Sequence, residues 1–292
     1  MEETAQNGDS PLSVSRLYTF IDGPREYALY FLEGQRLIEE LALIHGIHGP
    51  GFSYFRDVVL SVQPMIALLK HGEQIGFYID SEEPEFRLKI ETGHHGATRC
   101  MVAPQNFGAF PETLHGIARV QKLFPKNQPP YQSVIQLDGL PLRDVVNRVL
   151  RDSYQTNGAI MVSSESDQSI LLHQLPPLRE EEYDYSLESV RRRRDGIREA
   201  THAIFERSLM QPEEIVDAFQ QIGFRLLASR PVEFRCSCSQ QRVIQGIRPI
   251  YLKRQSDIFD PGQESIEVTC EYCKKKFKVT RAELDQAANP IN

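Results

Sequence analysis

The sequence predicts an α+β protein: a mixed N-terminal domain with an antiparallel sheet, a helical linker and a small cysteine-bearing C-terminal domain. Three observations lead there. Segments of period-two and period-3.6 hydrophobicity are intermixed without a regular βα alternation. The composition turns charge-rich after Pro176–Pro177. Four of the five cysteines crowd between residues 236 and 273.

The elements follow in order. The first dozen residues are polar and are expected to be disordered. Pro24–Leu32 (PREYALYFL) and Tyr54–Lys70 read as helices; in the second, Val58, Val62, Ile66 and Leu69 fall near helical spacing and Pro64 predicts a kink. Gln74–Asp80 (QIGFYID) alternates Ile75, Phe77 and Ile79 inward, and Phe86, Leu88 and Ile90 alternate again after the SEEP turn. This is a meander pattern. Tyr131–Leu137 is a further strand, Leu140–Tyr154 a helix, and Ala159–Ser163 with Ile170–Leu175 a strand pair.

From Arg179 to Arg207 charge dominates, and Val190, Ile197 and Ile204 recur every seven residues, with Phe205 beside the last. Such a helix has a thin apolar seam. A pair such as Glu188–Arg192 adds a few tenths of a kcal/mol, whereas Gly196 costs about 1 kcal/mol relative to alanine. Arg191–Arg194 repel one another and read as a solvated face. The helix depends on docking and should melt easily. A shorter helix follows, with Pro212 in its first turn, Glu213 and Glu214 at the positive end of its dipole, and Gly223 as its stop.

The chain has 292 residues, 40% hydrophobic and 25% charged, which suits a globular protein of about two domains. Its net charge of −7 argues against a chain-wide nucleic-acid footprint. No apolar run approaches a bilayer span, and the N-terminus lacks a basic and apolar leader, so the expected compartment is the cytoplasm. In that compartment a tight cysteine cluster points to a metal or redox site.

The pattern is Cys236-x-Cys238, then Cys270-x-x-Cys273. Two close thiolate pairs suit one tetrahedral Zn²⁺ per chain. Lys274, Lys275 and Lys276 follow directly and offset the negative charge of a zinc tetrathiolate. The CxC pair is shorter than the CxxC pairs usual in zinc ribbons. Thiolates are the oxidisable form of cysteine. Two readings therefore stay open on the residues alone: a purely structural site and a redox-responsive one. Cys100 lies in a predicted strand and reads as core. His94–His95 and His45 with His48 read as solvated turns. The sequence has no GxSxG, P-loop or GxGxxG, and four thiolates leave no open metal position, so no enzyme is expected.

VEFRCSCS followed by CEYC resembles the C-terminal zinc motif of the bacterial redox-regulated 33-kDa heat-shock chaperones. QPEEIVDAF ahead of PVEFRCSC, LLHQLP (Leu171–Pro176), Ser153-Tyr154-Gln155 and GATRCMV (Gly96–Val102) are similar to further family segments. Lys274 stands where that family frequently has glycine. The resemblance implies an ATP-independent holdase that binds unfolding proteins and dimerises when active. It implies an inactive reduced form with Zn²⁺ on Cys236, Cys238, Cys270 and Cys273. Oxidation would form Cys236–Cys238 and Cys270–Cys273 disulfides, release zinc, and unfold the switch domain and linker. The expected domains are residues 1–178, 179–230 and 231–292. The competing reading is a constitutive zinc-ribbon adaptor that binds protein or nucleic acid through Lys274–Lys278 and Arg191–Arg194.

Overall fold

The computed structural model describes residues 12–24, 26–105, 108, 111–125, 128–176, 187–253 and 258–286. The segment expected to be disordered (Leu12 excepted), the boundary at Leu178 and the side chain of Val190 lie outside them. The chain divides into two compact units, Met1–Phe234 and Arg235–Asn292.

The first unit begins with strands β1 (Arg16–Asp22) and β2 (Tyr27–Glu33), then helices α1 (Gln35–His45) and α2 (Gly49–Val62). Strands β3 (Gln74–Glu83), β4 (Phe86–Gly93), β5 (Ala97–Ala103), β6 (Thr113–Leu123), β7 (Tyr131–Gln136) and β8 (Leu140–Pro141) follow. Next come α3 (Leu142–Asp152), β9 (Gly158–Val162), β10 (Gln168–Gln174), α4 (Leu187–Glu206), α5 (Pro212–Gln221), β11 (Phe224–Pro231) and β12 (Glu233–Phe234). One sheet has the order β11-β1-β2-β10-β9, and all its pairs are antiparallel. The other runs β12-β5-β4-β3-β6-β7, with β8 on β6 and the β12–β5 pair parallel. The α+β class expected from the sequence is the one observed. No helix among the described residues is long and apolar enough to cross a membrane.

Pro24–Leu32 is corrected from helix to strand. Tyr27–Glu33 pairs with β1 on one side and β10 on the other, and only Tyr30 is not fully buried. A short apolar run buried on both faces carries no period-two signal, so its pattern does not separate strand from helix. The helix at Tyr54 ends at Val62, and Pro64 opens a 3₁₀ segment over Gln63–Leu68.

Period-two alternation divides the first sheet between two cores. Leu17, Leu32 and Leu171 pack toward α1, α2 and the second sheet. Tyr18, Phe20, Leu29, Phe31, Ile170 and Leu172 face the opposite way, where Ile204 and Phe205 of α4 and Ile215 and Phe219 of α5 cover them. The thin seam of α4 thus has its docking surface. Phe219 packs 4.6 Å from Phe20 and 5.1 Å from Phe31 between ring centroids. Polar contacts fix the position: Arg193 pairs with Glu26 at 2.8 Å, and the Gln168 amide donates to the Leu209 carbonyl at 2.5 Å. The segment expected to be helical through Arg230 is corrected at its end. Residues 224–231 form β11, with Phe224 opposite Asp22 and Pro231 opposite Arg16 on β1.

Glu33 closes β2 at 5% exposure, and its carboxylate accepts the Gln35 N–H at 3.0 Å. Burial, against that bond and aided by the Asp167 carboxylate, pushes its pKa from 4.5 up to about 7. The folded form then holds its proton more tightly than the unfolded chain. This contribution is complete at low pH and is lost as pH rises from 4.5 through about 7. Glu33→Gln is expected to stabilise the first unit by roughly 3 kcal/mol at pH 8 and to leave it unchanged near pH 4. Urea unfolding at the two pH values checks this; an equal effect at both contradicts it.

Candidate metal centre

The second unit carries α6 (Gln240–Lys253), the hairpin β13 (Ser265–Thr269) and β14 (Lys276–Thr280), and α7 (Arg281–Asp285). Its buried apolar side chains among the described residues are Tyr251, Phe259, Phe277, Val279 and Leu284, and all but Phe277 form one cluster. So thin a core needs other ties. Arg281 lies over the Phe259 ring at 4.4 Å, and Tyr251 donates to Asp285 at 3.0 Å. Thr280 and Glu283 form a capping box that starts α7.

Cys236 and Cys238 lie just before α6, where the Ser239 carbonyl accepts the Val243 N–H at 3.0 Å. Cys270 and Cys273 occupy the β13–β14 turn. That turn is held by Cys270 N–H to the Lys275 carbonyl and Lys274 N–H to the Cys270 carbonyl, each 2.8 Å. The register ends with Thr269 opposite Lys276, so both cysteines fall in the turn that closes the hairpin.

The four half-buried Sγ atoms all lie within 4.8 Å of one another. Cys236 Sγ is 3.8 Å from Cys270 Sγ, and Cys238 Sγ is 3.3 Å from Cys273 Sγ. Tetrahedral Zn²⁺ with bonds near 2.3 Å requires sulfur separations of about 3.8 Å. The donor set fits that ion in number, chemistry and spacing. Burial and neighbouring sulfurs push the Cys238 thiol up, and burial does the same at Cys273. Cys270 is drawn down: burial opposes this, but N–H donation from Cys273 and Tyr272 and the neighbouring thiols outweighs it. Four sulfurs this close resist joint ionisation until a cation offsets their charge. The cluster does not itself select a disulfide pairing, since the two separations given join one cysteine of each motif.

The turn explains one departure noted in the sequence. Lys274 has φ +59°, a left-handed conformation that glycine adopts without strain. Lys274→Gly is expected to stabilise the second unit by about 0.5–1 kcal/mol, after glycine's larger unfolded-state entropy is counted. Thermal unfolding of the metal-loaded protein checks this; an unchanged or lower midpoint contradicts it.

The other weighed residues lie elsewhere. Cys100 is fully buried in β5, as expected of a core residue. His48 is exposed, but His45 is corrected: it is 1% exposed in the last turn of α1, whose apolar face carries it inward. His94 and His95 do occupy a turn, and His71 joins them there, a contact between distant strand ends that no local pattern signals.

The sequence profile described as "Hsp33 protein" matches residues 15–280, most of the chain. The chain belongs to the Hsp33 family. Similar Hsp33 relatives include the 33 kDa chaperonin of Nitrosococcus oceani, 24% identical over 226 residues and spanning 75% of each chain. That of Hahella chejuensis is 26% identical over 212 residues, covering 70% of this chain and 73% of its own. The crystal structure of the Thermotoga maritima 33 kDa chaperonin superposes with a TM-score of 0.70 at 13% identity, covering 94% of this chain and 97% of that one. The last likeness shows a shared fold. Hsp33 membership and the relatives' names support a chaperone, and the cysteine cluster is compatible with zinc and redox chemistry.

Proposed function

We propose that the chain is a cytoplasmic, ATP-independent holdase that binds unfolding proteins under oxidative stress, with Cys236, Cys238, Cys270 and Cys273 as its switch. The observation that carries the reading is the four-sulfur cluster within 4.8 Å in a unit of thin core, in a chain of chaperone kinship. When bound, Zn²⁺ would neutralise the four thiolates and tie the 236–238 segment to the β13–β14 turn. In the reduced state the cysteines hold it and the second unit stays folded. Peroxide then joins Cys236 to Cys238 and Cys270 to Cys273. As each disulfide forms, the thiolate pair gives two electrons to one peroxide, which takes two protons from solvent and leaves as two waters. The donors are thereby consumed, zinc is no longer held, and the metal-linked folding free energy of residues 231–292 is lost.

The linker, residues 179–230, is the metastable element. Its charge-rich α4 is held by a narrow strip of contacts, and its release uncovers the aromatic face of Phe20 and Phe31. That face, on a core domain of residues 1–178, suits the apolar segments of unfolding clients, and activated chains pair as homodimers. No catalytic residue is assigned, since four protein ligands close the metal shell.

The test compares reduced and peroxide-treated protein in suppressing aggregation of a heat-unfolded client without ATP. Activity confined to the oxidised form supports the proposal. Equal activity in both forms, or salt-dependent nucleic-acid binding by the reduced form alone, supports the adaptor reading instead.

A further inference from the structure

The residues Arg230–Glu233, which lead into the cysteine-bearing unit, are seated on the turn between β4 and β5. The Arg230 guanidinium donates to the His94 carbonyl at 2.8 Å. Glu233 N–H donates to the Gly96 carbonyl at 3.1 Å, and Val232 N–H to the Ser15 carbonyl at 2.7 Å. Gly96, at φ +88°, leaves the space: a Cβ there would overlap the Pro231 carbonyl. Here the chain passes from the first sheet, as β11, to the second, as β12.

The turn itself rests on an imidazole that must be neutral. His94 Nδ1 accepts the Gly72 N–H at 3.1 Å, and an imidazolium has no acceptor nitrogen. The His94 ring is 4.7 Å from His71 and 5.1 Å from His95 between centroids. The charged groups acting on it are Arg230, the two histidines and Glu73. Glu73 is committed to Lys122 at 2.7 Å. Acid therefore gathers positive charge at one turn while removing the hydrogen bond that shapes it.

We infer that the His94 turn is an acid-sensitive catch for Arg230–Glu233, so that falling pH loosens the root of the switch unit independently of cysteine oxidation. The His94 pKa is lowered, chiefly by burial and then by His71, His95 and Arg230, with Glu73 opposing. The seated turn thus disfavours the proton that a released turn takes up. The seating is complete above the ordinary histidine value and is lost as pH falls through it. One histidine with an ordinary value near 6.5 when released gives at most about a tenfold loss of seating between pH 7.5 and 5.5. The catch stands apart from the proposed holdase activity; only its consequence for activation rests on that reading.

The experiment is hydrogen exchange of the Glu233 amide in full-length reduced protein at pH 7.5 and 5.5, corrected for intrinsic rates and referenced to central strand β3. Wild type should lose protection by up to about tenfold in acid while β3 is unchanged. His94→Asn, whose amide oxygen can accept from Gly72 and does not titrate, should lose little. Equal protection at both pH values in wild type, or the same acid loss in His94→Asn, overturns the catch. If His94→Asn fails to fold, the wild-type pH profile decides: a loss of protection that begins near pH 6.5 supports the catch, and a loss that begins only below about pH 5 overturns it. None of these outcomes depends on chaperone activity, so failure of the holdase reading is separately visible.

Discussion

Replacing Cys273 with serine should abolish stoichiometric zinc binding and unfold residues 235–292, leaving the first unit folded. The expectation follows from the thin core around Tyr251, Phe259, Val279 and Leu284. Structural zinc in small domains supplies roughly 10–16 kcal/mol of apparent folding free energy, far more than such a core. A serine hydroxyl is a poor substitute for a thiolate on zinc and leaves three sulfurs of the cluster unmatched. Near-ultraviolet circular dichroism and proteolysis should show the second unit lost, while the core built on Phe77, Phe86 and Tyr54 persists. A serine variant that keeps one zinc per chain and native resistance to protease would contradict the assignment.

The second large effect is expected at the aromatic joint between linker and sheet. Phe219 is fully buried against Phe20 and Phe31. Truncation of a buried phenylalanine costs about 3–5 kcal/mol. That cost falls on a segment whose other ties to the first sheet, among the described residues, include Arg193 to Glu26, Gln168 to Leu209, and the apolar contacts of Ile204, Phe205, Leu209, Ile215 and Ala218. Phe219→Ala should therefore release α4 and α5 without oxidation, and the reduced, zinc-loaded variant should suppress client aggregation. Protease cleavage near Arg191–Arg194 should appear in parallel. Reduced Phe219→Ala that remains inactive while its linker is cleaved would separate linker release from activity and refute the proposed client surface.

What the sequence made legible follows from the range of the interactions involved. The cysteines were legible because metal coordination fixes both residue type and spacing, and the structure gathers all four as that spacing requires. The meander of β3 and β4 was legible because each strand buries one face and neighbouring turns set the register. β2 was misread because burial on both faces erases the alternation that marks a strand. β11 was missed for a different reason. Its partner is β1, with Pro231 opposite Arg16, so the information that makes it a strand lies some two hundred residues away. The His71–His94–His95 contact was likewise unreadable, because it is made by turns that only the sheet brings together. The thin seam of α4 did point to a docked helix of low intrinsic stability, and its docking surface is the aromatic face of the first sheet.

The central claim, that one cysteine centre controls chaperone activity, is tested most directly by following zinc release and client light scattering in the same cuvette during peroxide treatment with mild heating. The account predicts that about one zinc per chain is released as the cysteine thiols disappear. It further predicts that suppression of aggregation develops on that time course or after it, never before. Oxidised protein that retains its zinc, or that releases it without gaining holdase activity, would contradict the account.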